Sequence, residues 1–126
     1  VEPTFKFMLK DHFYHILNLT HADNAVTVSL QLNVGHTIFS GHFPGQPVVP
    51  GACMLQMVKE ILAEAVPGDH QLKKAANLKF IAPVDPNMVD ELELKLTYKA
   101  IDDGLQVNAS LLSNGVVSFK MQGVFS

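Results

Sequence analysis

Three runs of alternating apolar and polar residues, each separated from the next by a short turn signal, fill the last third of this 126-residue chain. Leu92, Leu94, Leu96 and Tyr98 alternate with Glu91, Glu93, Lys95 and Thr97; Leu105, Val107, Ala109 and Leu111 follow; Val117, Phe119, Met121 and Gly123 close the series. A period of two places the apolar members on one face of a pleated strand and the polar members on the other. Between the runs stand Asp103-Gly104 and Asn114-Gly115, dipeptides that tolerate the positive φ of a tight hairpin. The spacing predicts an antiparallel meander with one buried face.

The same alternation appears in Val26, Val28, Leu30 and Leu32, and the segments His12 to Thr20 and Leu72 to Ala82 are further strand candidates. Pro83 to Asn87 reads as a turn. One segment has helical periodicity. From Ala52 to Val66, Met54, Val58, Ile61 and Ala65 share a face with Leu55 and Leu62 beside them, and Pro67-Gly68 ends the pattern. Gln56, Lys59, Glu60, Ala63 and Glu64 form a narrow polar stripe, expected to be solvated. Because most of the circumference is apolar, the helix is expected to be wrapped by sheet rather than laid on its outside. The result is a single α+β domain over residues 1–126, an antiparallel curved sheet around one long central helix.

Composition narrows the partners. The net charge is −3, and all nine basic residues are lysine, so neither a concentrated positive field nor an arginine fork is present for nucleic acid or an anionic membrane. No stretch reaches the length of uninterrupted apolar residues that crosses a bilayer, and the start lacks the pattern of a secretory signal. The lone Cys53 cannot form an intrachain disulfide and lies in an apolar run, which fits a core position and a reducing cytoplasmic setting. His12, His15, His21 and His36 lack the convergent spacing of a metal site, and none is expected.

The chemistry concentrates between Phe39 and Gln56. Pro44, Pro47 and Pro50 fix φ and lack an amide donor, while Gly45 and Gly51 permit angles or close approaches denied to other residues. So stiff a loop can hold the His42 imidazole in a set relation to the first amides of the following helix. An isolated histidine is more often structural; here the setting favours a working one.

The run Gly41-His42-Phe43-Pro44-Gly45-Gln46-Pro47-Val48-Val49-Pro50-Gly51 resembles the signature of the hotdog-fold beta-hydroxyacyl-[acyl-carrier-protein] dehydratases of bacterial fatty acid synthesis. The likeness extends to the lead-in His36-Thr37-Ile38-Phe39-Ser40, to Leu78-Lys79-Phe80-Ile81-Ala82-Pro83-Val84, and over nearly the whole chain from Asp11 to Phe125. The resemblance implies a hotdog homodimer, or an oligomer built on it, with acyl tunnels at the interface and no metal or redox cofactor. The substrate implied is a 3-hydroxyacyl thioester of an acyl-carrier protein or coenzyme A, dehydrated to a trans-2-enoyl thioester. Carried over by position, His42 is the base that takes the C2 proton, Gly51 supplies the amide that binds the thioester carbonyl, and Val48 offers the carbonyl that orients the histidine. Phe43 and Ala52 complete the substrate-binding set. The residue types suit this chemistry, since helix-terminal amides stabilise enolate-like charge and histidine titrates near operating pH.

At the acid position the chain departs from the pattern. The family places a carboxylate fourteen residues after the histidine, which here is Gln56. A glutamine amide can hold a water or a hydroxyl but cannot exchange a proton as a carboxyl does. Three readings stay open: a slower dehydratase in which His42 or water protonates the leaving group; replacement of the acid by another carboxylate such as Glu60 or Asp85; or a different activity, either a hotdog thioesterase or a non-catalytic subunit that completes a heterodimer or captures acyl carriers. Lys73, Lys74 and Lys79 could meet an acidic carrier protein, although Ile81 and Ala82 stand where relatives often have arginine.

Overall fold

In the computed structural model, residues 9–41 and 45–126 are described. Six strands form one sheet: β1 (Tyr14–Ala22), β2 (Ala25–Leu32), β3 (Leu72–Phe80), β4 (Glu91–Ile101), β5 (Gly104–Ser113) and β6 (Val116–Phe125), in the spatial order β1-β2-β4-β5-β6-β3. Every neighbouring pair is antiparallel. The helices are α1 (Thr37–Gly41) and α2 (Gly51–Ala65). This is the hotdog architecture the sequence resemblance implies.

The alternation predicts the buried faces well. Val26, Val28, Leu30 and Leu32 of β2, Leu92, Leu94 and Leu96 of β4, and Val107, Ala109 and Leu111 of β5 all enter the core. There they join Cys53, Met54, Met57, Val58, Ile61 and Leu62 of α2 in one apolar cluster. Pro50 precedes α2 in an extended conformation and Val66 ends it, its N–H donating to the Leu62 carbonyl. Burying side chains of this size contributes roughly 1.5–3 kcal/mol each.

Four local expectations change. β1 starts at Tyr14, because residues 11–13 form a turn in which Asp11 has φ 68°. β3 ends at Phe80, where the Ile81 and Ala82 amides turn to the Ser118 carbonyl. The β4–β5 loop is Asp102-Asp103, with Ile101 paired to Gly104. Gly104 is instead the first strand residue, at φ 146°, and a Cβ there would fall 2.1 Å from the Phe125 carbonyl oxygen. Finally, α1 is a short helix that carried no periodic signal. The Asn114-Gly115 turn forms as expected, with both residues at positive φ, and Asp23-Asn24 makes a similar turn between β1 and β2.

Both edges of the sheet carry exposed apolar side chains, with Leu17 of β1 49% exposed. β3 exposes every residue beyond Leu72, including Leu78 (42%) and Phe80 (55%), and Ile81 just past it is 53% exposed. No helix among the described residues is long and apolar enough to cross a membrane.

Candidate functional site

The start of α2 lines an open cleft of about 410 Å³, whose walls are Val48, Val49, Gly51, Met54, Phe80, Ile81, Ala82 and Pro83. Two connections bring these walls together. Val49 N–H donates to the Val84 carbonyl (2.9 Å), tying the proline-rich loop to the segment after β3. Phe80 packs on Phe119 of β6 with ring centroids 5.2 Å apart, and its ring lies against Gly51. Within α2 the first ladder bonds are those of the Cys53 and Met54 amides to the Pro50 carbonyl, at 3.0 and 3.2 Å. The Gly51 amide thus precedes the helical ladder, at the positive end of the helix dipole and beside an apolar cleft. Such an arrangement can hold a polar carbonyl while the chain attached to it lies among hydrocarbon side chains.

The sequence-predicted residues fall into three groups. Val48 and Gly51 line the cleft, and Ala52, one residue further, is exposed. Gln56 is half-buried on α2. His42 and Phe43 lie outside the described residues, between Gly41, which ends α1, and Gly45, which has φ 79°.

A buried carboxylate organises the helix at the level of Gln56. The Leu9, Lys10 and Tyr14 groups reach it from about fifty residues earlier in the chain: Leu9 N–H donates to Glu60 Oε2 (2.7 Å), Lys10 N–H to Oε1 (2.8 Å) and the Tyr14 hydroxyl to Oε1 (2.9 Å). Gln56 Nε2 donates to Oε2 at 3.0 Å. Glu60 is only 4% exposed, so the expected solvated stripe is interrupted at its centre. The physical reason is that residues 9–14 fold back over this face and bring three donors to it, which Gln56 joins from α2 itself. Lys10 also lies 3.6 Å from Glu64 on the next turn. Asp85, the other carboxylate considered, accepts the Asn87 amide through Oδ1 (2.9 Å) and serves the turn before β4.

Burial and the Glu60 charge act on two neighbours. Burial first, then Glu60, raises the Tyr14 hydroxyl well above the ordinary phenol range. The same two causes, in the same order, push the Cys53 thiol up to about 11, so it is a neutral core group rather than a nucleophile.

The fold-back segment also packs against α1. Phe13 stacks on Phe39 (centroids 5.0 Å) and meets His36 edge-on (5.5 Å), while Asn33 N–H donates to the Phe13 carbonyl. His36 Nδ1 accepts from the Ile38 amide at 3.1 Å. The five-residue α1 is therefore held by the contact of Phe39 with Phe13. Among the described residues no three His, Cys, Asp or Glu side chains converge as metal ligands would.

Tyr14 escaped the sequence reading as a working part, and Glu60, weighed there as a substitute acid on a solvated stripe, is instead buried. The available signal was a glutamate one turn beyond Gln56 in a mostly apolar helix, together with the Phe13-Tyr14 pair near the start.

A family model described as ApeI-like, ApeI dehydratase, matches residues 18–118. Among curated proteins, a 3-hydroxyacyl-[acyl-carrier-protein] dehydratase FabZ from Syntrophomonas wolfei is 35% identical over 81 residues, covering 64% of this chain and 52% of the relative. Another FabZ, from Thermomicrobium roseum, is 29% identical over 99 residues, 73% of this chain and 64% of the relative. The chain thus spans between about half and two-thirds of the length of these relatives. In fold it is similar to the dehydratase heterocomplex ApeI:P from Xenorhabdus doucetiae (TM-score 0.71, 21% identity, 88% of this chain and 96% of that one). It also resembles a hypothetical thioesterase with coenzyme A from Streptococcus pneumoniae (TM-score 0.62, 13% identity, 89% and 83%).

Proposed function

Because this chain belongs to the ApeI-like dehydratase family, we propose that it removes water from 3-hydroxyacyl thioesters of an acyl-carrier protein or coenzyme A, giving trans-2-enoyl thioesters. The observation that carries this reading is the Gly51 amide at the head of α2, set beside the apolar cleft. There the thioester carbonyl accepts a hydrogen bond from the amide while the acyl chain lies along Val49, Met54 and Ile81.

His42 takes the C2 proton. The charge that forms on the thioester oxygen is stabilised by the Gly51 N–H and the helix end. The electron pair left at C2 becomes the C2–C3 double bond as the C3–O bond breaks, and the departing oxygen receives a proton as it leaves as water. Val48 orients the imidazole through its carbonyl, and Phe43 and Ala52 flank the bound thioester. Gln56 stands in place of the family's acid. General acid catalysis is typically worth about 10² to 10⁴ in rate, which sets how much slower this dehydration runs without a carboxyl there.

In the same proposal the chain works as a dimer joined through β3, an edge strand that exposes Leu78 and Phe80. A second reading makes the dimer heteromeric, the partner supplying the missing acid. It is supported by Gln56 and by the fact that one solved relative in fold is a heterocomplex.

The deciding assay offers 3-hydroxyacyl thioesters to the wild type, His42→Ala and Gln56→Glu, following enoyl product and free thiol together. Enoyl product that disappears in His42→Ala supports the proposal. Free thiol without enoyl product replaces it with a thioesterase, and acyl binding without turnover in any variant replaces it with the heteromeric or carrier-binding subunit.

A further inference from the structure

Resting on the dehydratase reading, we propose that Glu60 is a positioning residue: it locks the Gln56 side-chain amide with its nitrogen inward, so that the carbonyl oxygen is what Gln56 offers the substrate's 3-hydroxyl. Glutamine can present either end of its amide, and the two ends have opposite hydrogen-bonding character. A carboxylate settles the choice, because it only accepts. With Gln56 Nε2 donating to Glu60 Oε2 at 3.0 Å, the oxygen of the same planar amide necessarily points elsewhere.

Glu60 itself is unsuited to direct proton exchange with substrate. Its Oε1 accepts from Lys10 N–H and the Tyr14 hydroxyl, and its Oε2 from Leu9 N–H and Gln56, so each oxygen already has two donors. A carboxylate has about four acceptor sites, and all are used. The carboxylate is also buried, only 4% exposed. Its influence on the reaction runs through Gln56.

A defined proton route follows. The 3-hydroxyl donates to the Gln56 carbonyl, which aims the oxygen but supplies no proton. His42 therefore handles the only proton that moves: it takes the C2 proton and returns it to the departing oxygen. The C2–H and C3–O bonds break, the C2–C3 double bond and water form, and no oxidant, reductant or outside acid is consumed.

The test is a double-mutant cycle on the full chain: wild type, Glu60→Gln, Gln56→Met and the double variant, with kcat and KM measured for a 3-hydroxyacyl thioester. Glu60→Gln is expected to lower kcat about tenfold with KM little changed, and to have no further effect once Gln56 is methionine. A loss of equal size in the Gln56→Met background, or no loss at all, overturns the proposal. Since Glu60→Gln turns an NH₂ group toward two donors and can unfold the chain, a second measurement stands on the wild type alone. The Gln56 side-chain 1H–15N signals, identified by their absence in Gln56→Met, should show one downfield, slowly exchanging proton bonded to a carboxylate. Random-coil shifts there overturn the positioning role whatever the activity. If the wild type forms no enoyl product while the NMR signature is present, the dehydratase reading fails and the Glu60–Gln56 lock stands as structure without that purpose.

Discussion

A Cβ added to Gly51 would fall 2.7 Å from two ring carbons of Phe80, so the glycine at the head of α2 is what lets this aromatic ring close on the helix end. Phe80 is more than half exposed and can swing away, which separates the folding consequence from the functional one. Gly51→Ala is expected to leave the melting temperature within a few degrees, because alanine is a better helix residue by roughly 0.5–1 kcal/mol. Its kcat/KM should fall about tenfold as the ring is displaced across the cleft, a loss of about 1.4 kcal/mol in transition-state binding. Phe80→Leu in the same background should recover part of it, measured by steady-state kinetics.

Tyr14 donates to a carboxylate that has almost no contact with water. Removing that donor in Tyr14→Phe should destabilise the fold by about 1.5–3 kcal/mol, read as a lower urea midpoint at unchanged slope. Glu60→Ala should cost more, since it strands the Leu9 and Lys10 amides as well as the Tyr14 hydroxyl.

Alkaline pH should weaken the protein in two stages. Cys53 and Tyr14 are both held neutral in the folded state, with ionisation raised above the unfolded value. The stability they contribute is present in full below the unfolded ionisation ranges. It declines as pH rises through about 8.5 for a thiol and about 10 for a phenol, because the unfolded chain releases protons that the native chain retains. Denaturation midpoints from pH 7 to 10.5 should fall accordingly, and Cys53→Ala should remove the earlier part of the decline. At neutral pH a thiol reagent should label Cys53 only after unfolding.

If β3 joins two copies, a charge on its open edge should part them. Leu78→Lys is expected to move the sedimentation coefficient from dimer toward monomer while leaving the far-ultraviolet circular dichroism unchanged, since Leu78 is 42% exposed in the single chain.

The sheet was legible because its buried faces follow a period of two, and the central helix because its apolar positions follow the helical period. Asn114-Gly115 announced its turn through local backbone preference alone. Gly104 misled for a good reason: it is glycine because the Phe125 carbonyl passes where a Cβ would be, a tertiary contact that looks in sequence like a turn signal. Glu60 was misjudged on the same ground. Its charge suggests solvent, and only the return of residues 9–14 to α2 supplies the donors that make burial tolerable. The short α1 had no periodicity to find, because its order comes from Phe13 in another part of the chain.

Among the described residues β3 takes its place in the sheet only through β6, which follows the rest of the meander. The β4–β5 and β5–β6 hairpins close over two-residue turns, whereas the β3–β6 ladder must first enclose the entire meander. Loop-closure entropy makes the local pairings cheaper, so the long-range one completes last. During synthesis Leu78, Phe80 and Ile81 leave the ribosome long before their β6 partner strand does, and they wait unpaired until that ten-residue strand has emerged. The cleft wall is therefore also the segment of the nascent chain most in need of protection from other hydrophobic surfaces.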